Sequence, residues 1–167
     1  MNIQNYFKNF SLKLFSLKAL IPFVIILITI WTYSNVPDHQ FLNFDDNEYI
    51  YENSNVQGGL TFKSIRWAFG FTGVAYWHPL SWISHMLDCQ LFGLEPGAHH
   101  MVNVFFHILN AVFIFLILFK ITGARYKSAL VALLFAVHPL NVEAVAWVTE
   151  RKTVLSTMFF MMALYTY

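Results

Sequence analysis

The chain has 167 residues, of which 57% are hydrophobic, 19% aromatic and only 11% charged, with a mean hydropathy of +0.53. A soluble domain carries about a quarter charged residues, so this composition excludes one and points to an all-α integral membrane protein. The net charge of +1 gives no warrant for a nucleic-acid partner, and the single cysteine, Cys89, cannot close an intramolecular disulfide.

The N-terminal stretch 1–18 carries Lys8, Lys13 and Lys18 and no acid. The positive-inside rule places it in the cytoplasm. The apolar run 19–36 follows, 18 residues that rise roughly 27 Å as a helix, enough to cross a hydrocarbon core. It ends in Trp31, Tyr33 and Pro37 without a small-x-small cleavage site, which predicts a retained signal anchor.

The segment 37–98 is predicted to lie outside. It holds seven of the nine acids, among them Asp45, Asp46, Glu48 and Glu52, against only Lys63 and Arg66. Two surface helices are expected in it. Thr61 can cap one whose Phe62, Ile65 and Phe69 share a face. The other opens at Pro79 and stops before Gly93. It carries an apolar stripe of Leu80, Ile83, Leu87 and Leu91 and a polar stripe of Ser81, Ser84, His85 and Asp88, so it should lie in the interface and roof a cavity.

A second crossing is predicted over 99–122, where His100, Asn103, His107 and Asn110 recur on one helix face. Polar groups at membrane depth face a bundle interior or a wet cavity, so the face either bonds neighbouring helices or lines a substrate cavity. Lys120, Arg125 and Lys127 make the turn 123–127 cytoplasmic. The run 128–140 is short for a crossing and is expected to reach the outer interface near His138-Pro139. The stretch 141–152, with Glu143, Glu150, Arg151 and Lys152, then returns to the side of Asp45 and Asp46 as a loop or interfacial helix. A fourth apolar helix starts over 153–167 and ends with the chain, which suggests further helices downstream.

Adjacent carboxylates such as Asp45-Asp46 can take a proton from an acceptor hydroxyl or hold a divalent cation such as Mg²⁺ or Mn²⁺ through oxygen ligands, and they are also common as solvated or capping residues. Arg151 and Lys152 can hold a lipid-linked phosphate, or anchor a helix by snorkelling. No histidine stands in a recognisable zinc spacing.

Phe44-Asp45-Asp46, Gly59-Leu60-Thr61 through Arg66-Trp67-Ala68-Phe69, Trp77-His78-Pro79-Leu80-Ser81-Trp82, His85 through Leu94, and His99-His100 with Asn103 and His107 resemble the N-terminal membrane region of bacterial tetratricopeptide-repeat membrane proteins. Those proteins are similar to the animal transmembrane O-mannosyltransferases that target cadherins. The tract His138-Pro139-Leu140-Asn141-Val142-Glu143 through Val148, with Glu150-Arg151-Lys152, is the most specific part.

The resemblance implies a multi-helix glycosyltransferase bundle of the GT-C type, a polyprenyl or dolichyl phosphate sugar as donor and a protein Ser/Thr hydroxyl as acceptor. It makes Asp45 or Asp46 the catalytic carboxylate, and Arg151 and Lys152 the donor-phosphate region. His78, His85, His100, Asn103, His107, His138, Glu143 and Glu150 are the candidate cavity lining. The expected location is the inner, cytoplasmic membrane with the active face periplasmic. The rival expectation is a non-catalytic membrane scaffold that acts through tetratricopeptide repeats beyond this chain.

Overall fold

The computed structural model describes residues 20–73 and 76–167. Lys8, Lys13, Lys18, the cytoplasmic stretch predicted over 1–18 and the predicted helix start at Ala19 lie outside the described residues. Among the described residues there is no β-strand, and the chain is an all-α membrane protein.

Among the described residues eight α-helices follow in order: α1 (Leu20–Asp38), α2 (Ser54–Gln57), α3 (Phe62–Gly70), α4 (Pro79–Phe92), α5 (Pro96–Thr122), α6 (Arg125–Val137), α7 (Val142–Ala146) and α8 (Arg151–Thr166). The helices α1 and α5 are long and apolar enough to cross a membrane. The pair α6 and Pro139–Ala146 reaches that length only together, bent by 51° at the break. Pro139 has no amide hydrogen to donate, so the α6 ladder stops at Val137 and the chain turns through Pro139–Asn141 before α7.

The long α5 is the spine, packed on α6 along one side and on α8 along another. Against α6 the contact is made by Ala111, Ala129, Ala132 and Ala136, with Ile25 of α1 and Phe115 completing the cluster. Small side chains let helix backbones approach where lipid offers no hydrophobic drive. A second cluster joins Tyr33 and Val36 of α1 to Val104, Val145 and Val154.

The polar face of α5 is spent on its neighbours' backbone. Asn103 Nδ2 donates to the Trp147 and Val148 carbonyls at 2.8 and 3.3 Å, His107 Nε2 to Ala136 at 3.0 Å and Asn110 Nδ2 to Val154 at 2.9 Å. His100 Nε2 reaches the Gln40 carbonyl at 3.3 Å. Ala136 lies in the last turn of α6, and Trp147 and Val148 lie in the break before α8. The Trp147 carbonyl also accepts from the Glu150 amide and the Val148 carbonyl from the Arg151 amide, so at this break the Asn103 side chain supplies a second donor to each acceptor.

Between α1 and α5 lie the three smaller helices, packed on a third cluster of Tyr49, Ile50, Val56, Ala68, Trp82, Met86 and Val148. Thr61 caps α3 in a reciprocal box with Ser64, and Gly93 ends α4 at φ +65°. In both helices the apolar face points outward: Phe62 and Phe69 are exposed, as are Leu80, Leu87 and Leu91, while Ser81, His85 and Asp88 are buried. This inside-out arrangement suits helices lying in a membrane interface.

Gly97 marks the tightest crossing. A Cβ there would stand 2.2 Å from the Pro37 carbonyl oxygen, a backbone atom that cannot step aside. Gly97→Ala is therefore expected to force α1 from α5 and cost about 1–3 kcal/mol. Thermal unfolding in detergent reads the loss, and an unchanged midpoint would contradict the crossing.

Candidate functional site

The two adjacent aspartates have different fates. Asp46 is fully buried: its Oδ2 accepts from the Leu42 amide at 2.8 Å and its Oδ1 from Trp147 Nε1 at 3.1 Å. The second bond ties the acidic loop to the 147–152 segment, and Phe44 packs on the same indole at 5.7 Å. Asp45 is half-buried, and its carbonyl accepts from the Tyr49 amide at 3.0 Å. Both oxygens of Asp46 are committed, and neither aspartate belongs to a group of three close ligand side chains among the described residues.

Tyr49, on the π-helical turn Asn47–Tyr51, connects the acidic loop to the basic segment. Its ring packs against both Trp82, at 4.5 Å, and His78, at 5.4 Å, which are themselves 5.1 Å apart, and the Lys152 ammonium stands 6.0 Å from the ring centre. Burial, then the negative charges of Asp45, Glu150 and Glu48, push its hydroxyl up to about 12, so it remains a neutral donor at any physiological pH. Nothing in the order of residues marks Tyr49 out; a tyrosine four positions after Asp45 is one aromatic among many.

Beside this stack opens a cavity of about 500 Å³, lined by Phe69, Trp77, Pro79, Leu80, Leu155 and Phe159 with His78 and Lys152 as its main polar groups. The Trp77 indole donates to the Phe69 carbonyl at 3.1 Å, fixing one wall. His78 Nδ1 donates to the Tyr76 carbonyl at 2.7 Å, which leaves Nε2 as an unpartnered acceptor. Burial lowers the His78 pKa, with the bond to Tyr76 opposing, so the ring is neutral at pH 7. Lys152 pairs with Glu150 at 2.7 Å and is a quarter exposed. Burial raises the Glu150 carboxyl, but hydrogen bonds from Lys152 and Thr153 outweigh it and hold the pKa below the ordinary value.

Arg151 points the other way. Its side chain is fully buried, and the guanidinium donates to Asn103 Oδ1, to Ser84 Oγ at 2.6 Å and to the His99 carbonyl at 2.9 Å, and pairs with Asp88 Oδ2 at 2.8 Å. Consecutive residues on a helix start diverge by about 100°, and here one cation faces the cavity while the next locks α4, α5 and α8 together.

The remaining sequence candidates separate by depth. His85, His100, Asn103 and His107 are buried among the helices, away from this cavity's lining, while His138 and Glu143 are exposed. His138 Nδ1 accepts from the Leu140 amide at 3.2 Å and so caps the turn after α6. Glu150 reaches the cavity only through Lys152. Asp88 and His99 stood outside the predicted site. Their signal was the polar stripe of α4, with Asp88 one turn after His85, whose partner on α5 is invisible until the helices are placed.

No protein-family model matches the chain, and no solved structure matches it significantly. The chain is similar to curated proteins named protein O-mannosyl-transferase. It is 37% identical to TMTC3 of Homo sapiens over 91 residues, which is 54% of this chain and 10% of that protein. TMTC1 of Mus musculus is 32% identical over 135 residues, 74% of this chain and 14% of that protein. Tmtc1 of Drosophila melanogaster is 32% identical over 91 residues, 54% of this chain and 11% of that protein. The chain thus spans about a tenth of the length of the relatives it matches.

Proposed function

We propose that the chain forms part of a membrane glycosyltransferase that moves a sugar, mannose in the first instance, from a polyprenyl or dolichyl phosphate donor to a Ser or Thr hydroxyl of a protein. Its similarity to protein O-mannosyl-transferases supports the reaction class. The observation that carries the reading is the Lys152 ammonium at the polar end of an apolar cavity, beside the tyrosine that follows the acidic pair. A prenyl chain matches the Phe69, Trp77, Leu80 and Phe159 walls, and a phosphodiester matches a lysine point charge. The bundle belongs in this reading to the GT-C type, in the cytoplasmic membrane with this face periplasmic. Tetratricopeptide repeats beyond the chain engage the acceptor.

Asp45 acts as the base because its carboxylate is not consumed by the fold, whereas Asp46 spends both oxygens on Leu42 and Trp147 and positions the loop. Asp45 accepts the acceptor hydroxyl's proton as the oxygen attacks the anomeric carbon. The bond from that carbon to the phosphate oxygen breaks with its electron pair, and polyprenyl phosphate leaves beside Lys152. A single displacement inverts the anomeric centre. Arg151 holds the helices that carry Lys152 and is not itself the phosphate ligand.

Lys152→Gln tests the donor site directly. It removes one partly screened charge, so binding of a short-chain polyprenyl phosphate sugar to the detergent-solubilised protein should weaken about tenfold, equivalent to about 1.4 kcal/mol. Equal affinity in the variant, with the wild-type melting temperature, would remove the cavity from the donor path.

A further inference from the structure

Away from that cavity, His85, Asp88 and His99 bring one ligand atom each within 4.8 Å of the others, all three side chains being buried. His99 Nε2 lies 2.9 Å from the Gly93 carbonyl, which can only accept, so Nε2 carries the hydrogen and Nδ1 of the neutral ring carries a lone pair. That lone pair faces Asp88 Oδ2 at 3.7 Å. Arg151 pairs with that oxygen at 2.8 Å, yet among the described residues nothing donates to the buried His99 lone pair. His85 sharpens the point: it has no exposed surface, and neither of its ring nitrogens has a partner. Polar groups left unpartnered at such depth are rare and mark a role.

We infer that His85, Asp88 and His99 form a binding site for a divalent transition metal, with zinc as the preferred ion. Two imidazoles and one carboxylate are a common three-ligand set for zinc, with the fourth position left to water or hydroxide. His85 and Asp88 are one turn apart on α4, so a single rotamer adjustment brings both to an ion. Zinc bonds of about 2.0 Å place tetrahedral ligands about 3.3 Å apart, so the cluster must contract, and His85 turns without breaking a hydrogen bond. The Gly93 carbonyl orients His99 from behind, the usual outer-shell support of a metal-bound histidine. Arg151 draws on the charge of the same Asp88 Oδ2, so the imidazoles carry more of the binding, which favours zinc over Mg²⁺ or Ca²⁺. The ion would join α4 to the start of α5 and hold the interfacial roof on the bundle.

The test uses the full chain in detergent, purified without a histidine tag and stripped with chelator. Titration with Zn²⁺ alone should load one ion per chain by mass spectrometry. Co²⁺ should give the ligand-field absorption of a tetrahedral nitrogen and oxygen site. His85→Ala removes no hydrogen bond, so it should keep the fold and lower Zn²⁺ affinity at least about tenfold. His85→Gln serves equally should the smaller residue leave a destabilising void. Wild-type protein that takes up no stoichiometric metal overturns the inference, and points instead to a proton shared by His99 and Asp88. Zn²⁺ affinity unchanged in a folded His85 variant overturns it as well.

Discussion

Arg151→Met is expected to abolish stable folding. The guanidinium is fully buried and serves acceptors on two other helices: Asp88 and Ser84 of α4, and Asn103 and the His99 carbonyl of α5. Its removal strands the Asp88 carboxylate, which is 3% exposed and faces only the neutral His99 ring, at 3.7 Å, besides Arg151 in its close ion pairs among the described residues. Breaking a buried pair from one side costs about 3–5 kcal/mol, a large share of the about 5–15 kcal/mol that holds a typical domain together. Arg151→Lys should fare little better, because a compact ammonium cannot reach a planar set of acceptors arranged for a fork. The double variant Arg151→Met with Asp88→Leu removes both charges and should recover much of the loss, since a well-packed apolar pair avoids the desolvation penalty. Thermal unfolding in detergent decides the matter: a single Arg151→Met variant within about 2 °C of wild type would mean that the network contributes little.

Asp45→Asn, made in the full-length protein, should reduce sugar transfer by about 10²–10⁴-fold, the usual contribution of a positioned general base. Because the Asp45 side chain makes no hydrogen bond to the protein among the described residues, its melting temperature should stay near that of wild type. Asp46→Asn should behave in the opposite way. An asparagine offers one acceptor and one donor where the fold needs two acceptors, so either the Leu42 amide or the Trp147 indole loses its partner, and stability falls first. Measuring transfer and melting temperature on the same preparations separates the roles. Full activity in both single variants and in the double variant would remove the acidic pair from the chemistry and favour a scaffold.

The cavity at Lys152 and the buried network around Arg151 explain why the basic pair Arg151-Lys152 should not be treated as a unit. Lys152 is sacrificed to solvent and to Glu150 at the edge of an apolar cavity, while Arg151 is withdrawn from any ligand by four protein partners. A helix start forces this divergence, since neighbouring side chains point to different faces. The acidic pair divides in the same manner, with Asp46 turned inward to Trp147 and Asp45 left half-buried. In each pair one member builds the site and the other is left available to use it.

Much was legible from composition and period alone. Apolar run length, Pro79 and Gly93 as helix punctuation, Thr61 as a cap and the three-four-three spacing of the α5 polar face are local properties, set by backbone sterics and the helical repeat. Such signals act within a turn or two of the chain, so the sequence by itself determined an all-α membrane protein and which faces of α4 and α5 are polar. What those faces meet was decided only by the tertiary structure. His107 finds the Ala136 carbonyl near the end of α6, Asn103 finds the break before α8, and Trp147 closes on Asp46 across 101 residues of chain. The cluster of His85, Asp88 and His99 exists for the same reason. Desolvation and hydrogen-bond geometry choose partners among distant helices, and a linear pattern carries no record of which lone pairs will be left facing each other.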